Sequence, residues 1–273
     1  DVWAAGLGSS LAHYDGASWS RVATPSAGNF YGVFAIARDD AWALDAQALY
    51  HWNGAAWTTA ALPFAPDGLR GIWASGSADV WVSGLFHDPA APFAGDSILH
   101  WNGAAWSAVP LERLDGTATF LWGSAPDDVW LLEDLGATFE HWDGARWGRV
   151  PVDGASDLDV WTAVWGASPN DVWAIGNSAA QYNLAAHWDG HAWSVPPLAD
   201  DIKGCGWEGL WGYSARDVWA VGAFGTSVHW DGGAWTLASP GADPLAPSLF
   251  AVWGGGADLW GVGASGAIAR HHQ

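Results

Sequence analysis

The sequence predicts an all-β protein, a β-propeller of four-stranded antiparallel blades, seven in number with six as the alternative. Three observations predict it. The 273 residues include 25 tryptophans, far more than a soluble chain needs unless a repeated place exists to bury them. Two short motifs recur along the whole chain at a mean spacing of about 43 residues. Each spacing holds four short segments of strand composition, the pattern of a propeller blade.

The first motif reads DVWAAG at 1, DAWALD at 40, DVWVSG at 79, DVWLLE at 128, DVWAIG at 171, DVWAVG at 217 and DLWGVG at 258. The second reads HYDGASW at 13, HWNGAAW at 51 and 100, HWDGARW at 141, HWDGHAW at 187 and HWDGGAW at 229. The unit around 208–238 shows the four expected strands: EGLWGY, DVWAVG, TSVHW and AWTLA. Each is rich in Val, Trp and Ala and bounded by Gly, Asp, Ser or Pro. Asp231-Gly232 predicts a two-residue type I′ hairpin loop, which would set His229 opposite Ala234 and Val228 opposite Trp235. Of the 25 Trp, 23 fall at four repeated positions, and Trp161 and Trp207 stand outside them. Architecture therefore accounts for the Trp excess without a cofactor, and none is expected.

Connection lengths give the strand order. Three connections per unit are tight. The fourth, such as SPGADPLAPS at 239–248, is long and rich in Pro and Gly, as a passage from an outer strand to the next inner strand requires. Seven second strands but only six first and six fourth strands are legible. The reading is a single domain over 1–273, with the ring closed by its N- and C-terminal strands and a further segment before Asp1 completing it.

DVWAVG followed by HWDGGAW resembles bacterial Trp-rich propeller repeats and, more distantly, the Asp-box (BNR-type) propellers. In the Asp-box pattern, Ser-x-Asp-x-Gly-x-x-Trp, Asp231 and Trp235 hold comparable places. The loop here is one residue shorter, and His229 stands where that pattern has Ser. The resemblance covers nearly the whole chain. It implies fold and structural turns rather than an activity, because Asp-boxes occur in sialidases, receptors and lectins alike. The Arg triad and Tyr/Glu pair of catalytic sialidases cannot be assembled from the eight Arg of this chain.

Composition narrows the function classes. A net charge of −20 repels nucleic acid and anionic membranes. No apolar run reaches the length of a membrane span, so no membrane insertion is expected. The lone Cys205 allows no intrachain disulfide, and a catalytic thiol there would have only Lys203 nearby as a cationic partner. The sequence contains no signal peptide; the reading places the protein outside the cytoplasm, secreted or on the surface of a bacterium.

The connections expected on one side of the ring repeat closely, whereas those on the other side differ from unit to unit. Unit three inserts LFHDPAAPFAGDS at 85–97 and unit five SAAQYN at 178–183. Irregular loops on a regular scaffold are where binding usually resides. The inner-strand position three residues before the first-strand aromatic reads Tyr31, Arg70, Thr119, Thr162, Glu208 and Phe250. Arg70 and Glu208, with Trp161 and Trp207 one residue before Thr162 and Glu208, form the candidate ligand-binding set at the channel mouth. Tyr31, His87 and Asp88 complete it. The structural alternative is that the two Trp plug the mouth and the charges are solvated. His87, Asp88 and Asp96 lack the further ligands a metal needs, and the acids at 157, 159, 200 and 201 are read as solvated, so no metal site is expected. The leading function is a non-enzymatic binding or scaffold module for a protein or a glycan. The alternatives are a lectin with Trp-lined pockets and a glycan-active hydrolase or lyase at the channel mouth.

Overall fold

A computed structural model describes residues 2–87, 96–109, 111, 114, 116–178, 183–202, 206–238 and 246–272. Among these residues regular structure is strand, with three short 3-10 turns and no α-helix. The strands come in seven consecutive sets. The first is β1 (Val2–Gly6), β2 (Ser10–Tyr14) and β3 (Trp19–Val22). The second is β4 (Phe30–Ala37), β5 (Asp40–Asp45), β6 (Leu49–Trp52) and β7 (Trp57–Thr59). The third is β8 (Ala65–Gly76), β9 (Asp79–His87), β10 (Asp96–Trp101) and β11 (Trp106–Val109). The fourth is β12 (Ala118–Ala125), β13 (Asp128–Glu133), β14 (Thr138–Trp142) and β15 (Trp147–Asp153). The fifth is β16 (Val160–Ser168), β17 (Asp171–Asn177), β18 (Leu184–Trp188) and β19 (Trp193–Ser194). The sixth is β20 (Trp207–Ser214), β21 (Asp217–Gly222), β22 (Ser227–Trp230) and β23 (Trp235–Leu237). The seventh is β24 (Leu249–Gly255), β25 (Asp258–Gly263) and β26 (Ile268–His272).

Within each set the strands pair in chain order, as hairpins do. The first set holds second, third and fourth strands, and the seventh holds first, second and third. Hydrogen bonding makes six sheets of the seven sets, because the fourth and fifth are joined by a short parallel pairing of β15 with β19, Val152 opposite Trp193. The chain divides into two compact units. One comprises residues 1–131 and 142–147, the other 132–141 and 148–273, the division falling within the fourth set.

The packing explains the repeated Trp. In the first unit, Trp81 stacks on His100 of its own set, with centroids 4.1 Å apart. It then meets Trp142 and Trp147 of the following set at 5.3 and 5.5 Å. In the second unit, Trp173 stacks on His187 at 4.3 Å and meets Trp230 and Trp235 at 4.8 and 5.4 Å. Trp81 and Trp173 thus each join their own third strand to the following set, in part through edge-to-face contacts worth about 0.5–1.5 kcal/mol beyond area burial.

The Gly that ends most copies of the first motif is required by close approach. A Cβ at Gly176, Gly222 or Gly263 would lie 2.1, 2.1 or 2.0 Å from a carbonyl oxygen of the neighbouring first-strand segment. Backbone cannot yield as a flexible side chain would. Gly222→Ala is therefore expected to cost about 1–3 kcal/mol, read as a lower midpoint of urea denaturation at unchanged slope.

The bend after the third strand differs from the two-residue loop expected. Trp230 pairs with Trp235, His229 with Thr236 and Val228 with Leu237, leaving a four-residue connection from Asp231 to Ala234. Only Gly232 has a positive φ, 92°, so the turn is not type I′. The reason is the Asp side chain: Asp231 Oδ1 accepts the N–H groups of Gly233 and Ala234 at 2.8 and 3.0 Å, which folds the loop over its own carboxylate.

Candidate functional site

The repeated His, Asp and Asn side chains bond within the repeat. His51, His187 and His229 hydrogen-bond through Nε2 to Oδ1 of Asp40, Asp171 and Asp217 at 2.9, 2.7 and 2.8 Å. Each of these Asp residues opens the second strand of its own set. In the seventh set Arg270 stands where the His would be. Its Nε and Nη2 donate to Oδ1 and Oδ2 of Asp258 at 2.9 and 2.6 Å, and its guanidinium lies 5.2 Å from the Trp260 ring. Those bonds, with His272, hold the Asp258 carboxyl below its usual range.

The bends are tied down as well. The indole N–H groups of Trp52, Trp101, Trp188 and Trp230 donate to the carbonyls of Arg38, Ser77, Pro169 and Ala215 at 3.1–3.3 Å. These carbonyls belong to the bend between first and second strands. The Gly of later Asp/Asn-Gly pairs rests on the same bend: a Cβ at Gly54 or Gly103 would lie 2.7 or 2.8 Å from that of Asp39 or Ala78, whereas one at Gly16 would meet nothing within 4 Å. Backbone bonds from Ala234 and then Gly233 lower the Asp231 carboxyl, and Asp189 is lowered in the same way by Ala192 and His191. At this end of the sheets the repeated Asp and Asn side chains make the turns, and His229, His51 and His187 bond locally.

The opposite end presents unlike side chains. In the first unit, β4, β8 and β12 carry Tyr31, Arg70 and Thr119 at equivalent places. Tyr31 is 51% exposed, Arg70 is exposed and Thr119 is half-buried. β8 and β12 approach so closely that a Cβ at Gly71 would lie 2.3 Å from the Thr119 carbonyl oxygen. In the second unit, β16, β20 and β24 carry Thr162, Glu208 and Phe250. Thr162 is engaged: its Oγ1 lies 2.8 Å from the Trp207 carbonyl and 3.2 Å from that of Ile175. Phe250 is 53% exposed. Glu208 reaches solvent, yet the surrounding protein desolvates it enough to raise its carboxyl above the usual value. That desolvation makes Glu208 a group held in a setting that does not favour its charge.

Trp161 and Trp207 lie in the core of the second unit, 1% and 0% exposed. Trp161 donates its indole N–H to the Gly136 carbonyl at 2.8 Å and meets Phe139 edge-on at 4.9 Å. Trp207 packs on Trp235 at 5.5 Å. Both rings support the inner strands from within. His87 ends β9, its backbone paired with Ala65, while its side chain and all of Asp88 lie outside the described residues, as does Cys205. Asp159 is buried, its carboxylate accepting the Ser156 N–H at 2.8 Å, and Asp200 and Asp201 open a 3-10 turn. Among the described residues no three His, Cys, Asp or Glu side chains gather to hold an ion. No helix there is long and apolar enough to cross a membrane.

Three residues at this end escaped the sequence reading. Asp45 replaces the closing Gly of the first motif and is 4% exposed. Its carboxylate accepts from Ser26 Oγ at 2.6 Å, Tyr50 Oη at 2.9 Å and the Gln47 and Ala48 N–H groups at 2.8 Å each. Burial pushes this carboxyl up, but the four bonds prevail and hold it below the usual range. Asn183, fully buried, accepts the Gly206 N–H and donates to the Ile202 carbonyl, fixing the link between fifth and sixth sets. Phe224 sits in the connection after β21 at φ 56°, ψ 34°, with its ring 45% exposed. Its counterpart in the seventh set, also left-handed, is Ser265, at φ 58°. The only signals in the sequence were the broken Gly at 45 and a bulky residue before Gly225.

No protein-family model matches the chain, and no curated protein matches it. Solved structures do. YCF48 from Cyanidioschyzon merolae is similar with a TM-score of 0.74 at 15% identity, over 99% of this chain and 90% of that one. A structure of YCF48 bound to D1 peptide gives 0.72 at 17%, over 99% and 89%. Virginiamycin B lyase from Staphylococcus aureus with quinupristin gives 0.75 at 10%, over 96% and 87%. The extracellular domain of the putative one component system BT4673 from B. thetaiotaomicron gives 0.71 at 11%, over 98% of this chain and 36% of that one. These are β-propeller-like proteins, and at such identities the likeness shows the fold alone.

Proposed function

We propose that this chain is a seven-bladed, Trp-rich propeller acting as a non-enzymatic binding module for a protein partner, outside the cytoplasm. The observation that carries this reading is the contrast between the two ends of the sheets. At one end the repeated His, Asp and Asn side chains bond within the repeat. At the other, Tyr31 and Arg70 in the first unit, and Glu208, Phe250 and Phe224 in the second, are exposed and unlike their counterparts. A strained, exposed Phe and a desolvated carboxylate each cost stability, which a binding role would explain.

A protein segment suits these groups better than a sugar. Aromatic anchors beside single charges are the composition of protein-binding hot spots, whereas a lectin built on repeats would reuse one pocket. In this reading Glu208 takes a basic group of the partner, with Trp161 and Trp207 stiffening the strands beneath, and Arg70 of the first unit is a separate contact for an acidic group. The net charge of −20 favours a basic partner by long-range attraction. The YCF48 structure with a peptide and the extracellular BT4673 domain support the class and the compartment at the level of fold. The turn-making role of Asp231 supports the likeness to Asp-box bends.

The test is a peptide array probed beside a glycan array, with wild type, Arg70→Ala and Glu208→Gln. Peptide signals that fall about tenfold or more in Glu208→Gln are expected. Because burial raises the Glu208 carboxyl, the wild type loses stability as pH rises from the unfolded Glu value, about 4.3, through the higher folded one. Glu208→Gln is accordingly expected to be no less stable than wild type at neutral pH while binding is lost. Glycans bound with peptides ignored would overturn the reading.

A further inference from the structure

We propose that Asn53 and Asn102 are self-modification sites, each converting to Asp through attack of the following glycine's backbone nitrogen on its side-chain amide. Both belong to the second motif and lie in the first unit. Of the six copies of that motif, four carry Asp-Gly and these two carry Asn-Gly. The bends are otherwise alike: Gly54 and Gly103 both have φ 87°, against 88° at Gly144 and 92° at Gly232.

The turn supplies each part that ring closure needs. The nucleophile is available: the Gly54 and Gly103 N–H groups donate to no acceptor among the described residues, and both bends are exposed. A glycine has no Cβ to keep its nitrogen from the preceding side chain. The electrophile is polarised. Asn53 Oδ1 accepts the N–H groups of Ala55 and Ala56 at 3.0 Å each, and Asn102 Oδ1 those of Ala104 and Ala105 at 3.0 Å each. Two donors on one carbonyl oxygen stabilise the negative charge that develops there when a nucleophile adds to Cγ. Asn29 and Asn170 are exposed as well, but Phe30 and Asp171 follow them.

Water is the only co-reactant. The glycine nitrogen gives its proton to solvent and bonds to Cγ. The Cγ–Nδ2 bond breaks and ammonia leaves with a proton from solvent, giving a cyclic succinimide. Water then adds to Cγ and the N–Cγ bond breaks, restoring the main chain with Asp in place of Asn. Addition at the main-chain carbonyl carbon would instead give isoaspartate, whose extra backbone carbon lengthens the loop. The donors on Oδ1 direct water to Cγ, so the folded turn favours Asp. That product is one the repeat already holds. Asp143 Oδ1 accepts the Ala145 and Arg146 N–H groups at 2.9 Å each, and Asp189 Oδ1 those of His191 and Ala192 at 2.9 and 3.0 Å. Each conversion adds one negative charge to a chain already at −20.

In the experiment, freshly purified protein is held in mildly alkaline buffer made with water enriched in heavy oxygen, folded in one sample and in urea in another. Peptide mass mapping follows each Asn, and an isoaspartyl methyltransferase assay counts isoaspartate. Expected in the folded sample are heavy-oxygen Asp at 53 and 102, Asn29 and Asn170 unchanged, and a lower share of isoaspartate at both sites than in urea. The double variant Asn53→Asp, Asn102→Asp makes the product directly and is expected to melt at the temperature of fresh wild type. Four results would overturn the proposal: Asn53 and Asn102 intact in the folded sample, conversion there no greater than at Asn29 and Asn170, an isoaspartate share equal to that in urea, or a lower melting temperature of the double variant.

Discussion

Trp173→Ala is expected to destabilise the protein by about 3–5 kcal/mol, the range for emptying the space of a buried Trp. The ring is 1% exposed and is a centre of the second unit's core, touching His187 in its own set and both Trp230 and Trp235 in the next. Its loss leaves a cavity between two sheets that backbone pairing prevents from closing. Urea denaturation followed by far-ultraviolet circular dichroism reads the effect as a large fall in midpoint. Phe250→Ala is the control: that ring is 53% exposed, so the same measurement should move by well under 1 kcal/mol. A small effect at Trp173 would mean that the repeated Trp are not what joins the sheets.

Asp45→Ala is expected to cost about 3–4 kcal/mol. It deletes four hydrogen bonds at once and leaves the Ser26 and Tyr50 hydroxyls and two N–H groups without their acceptor in a buried setting. Asp45→Asn keeps the shape and is expected to lose about half as much. The pH dependence has a definite sign. The folded carboxyl is held below its unfolded value of about 3.9, so its stabilisation is present above that pH and is lost as pH falls through the folded value. Between those two values the stability of wild type should fall with a steeper slope than that of Asp45→Asn. Parallel slopes would show that the carboxylate is not the stabilising form.

Much of the scaffold was legible because repetition multiplies weak signals. All seven Asp-x-Trp segments form strands, each paired with the strand that follows it. The Asp/Asn-Gly bends were placed correctly, but their geometry was not. Counting loop residues ignores the Asp side chain, which turns back on Gly233 and Ala234 and lengthens the connection by two. The end that carries unlike side chains was legible only as irregularity. Trp161 and Trp207 broke the Trp pattern and so looked like ligand-stacking rings, yet burial depends on what packs against them, here Phe139 and Trp235. Phe224 gave the reverse error: nothing in AFG announces a left-handed backbone with its ring in solvent. Asp45 was hidden because a single departure from Gly carries no statement about its four partners.

The most direct test of the division between scaffold and binding surface compares two single variants on the same peptide array. His229→Gln removes one member of the repeated Asp-His-Trp cluster, and Glu208→Gln alters one desolvated carboxyl at the opposite end. Binding retained in His229→Gln with reduced thermal stability, and binding lost in Glu208→Gln with stability unchanged or raised, is the expected result. Binding lost in His229→Gln and intact in Glu208→Gln would place the function in the repeat and contradict the account.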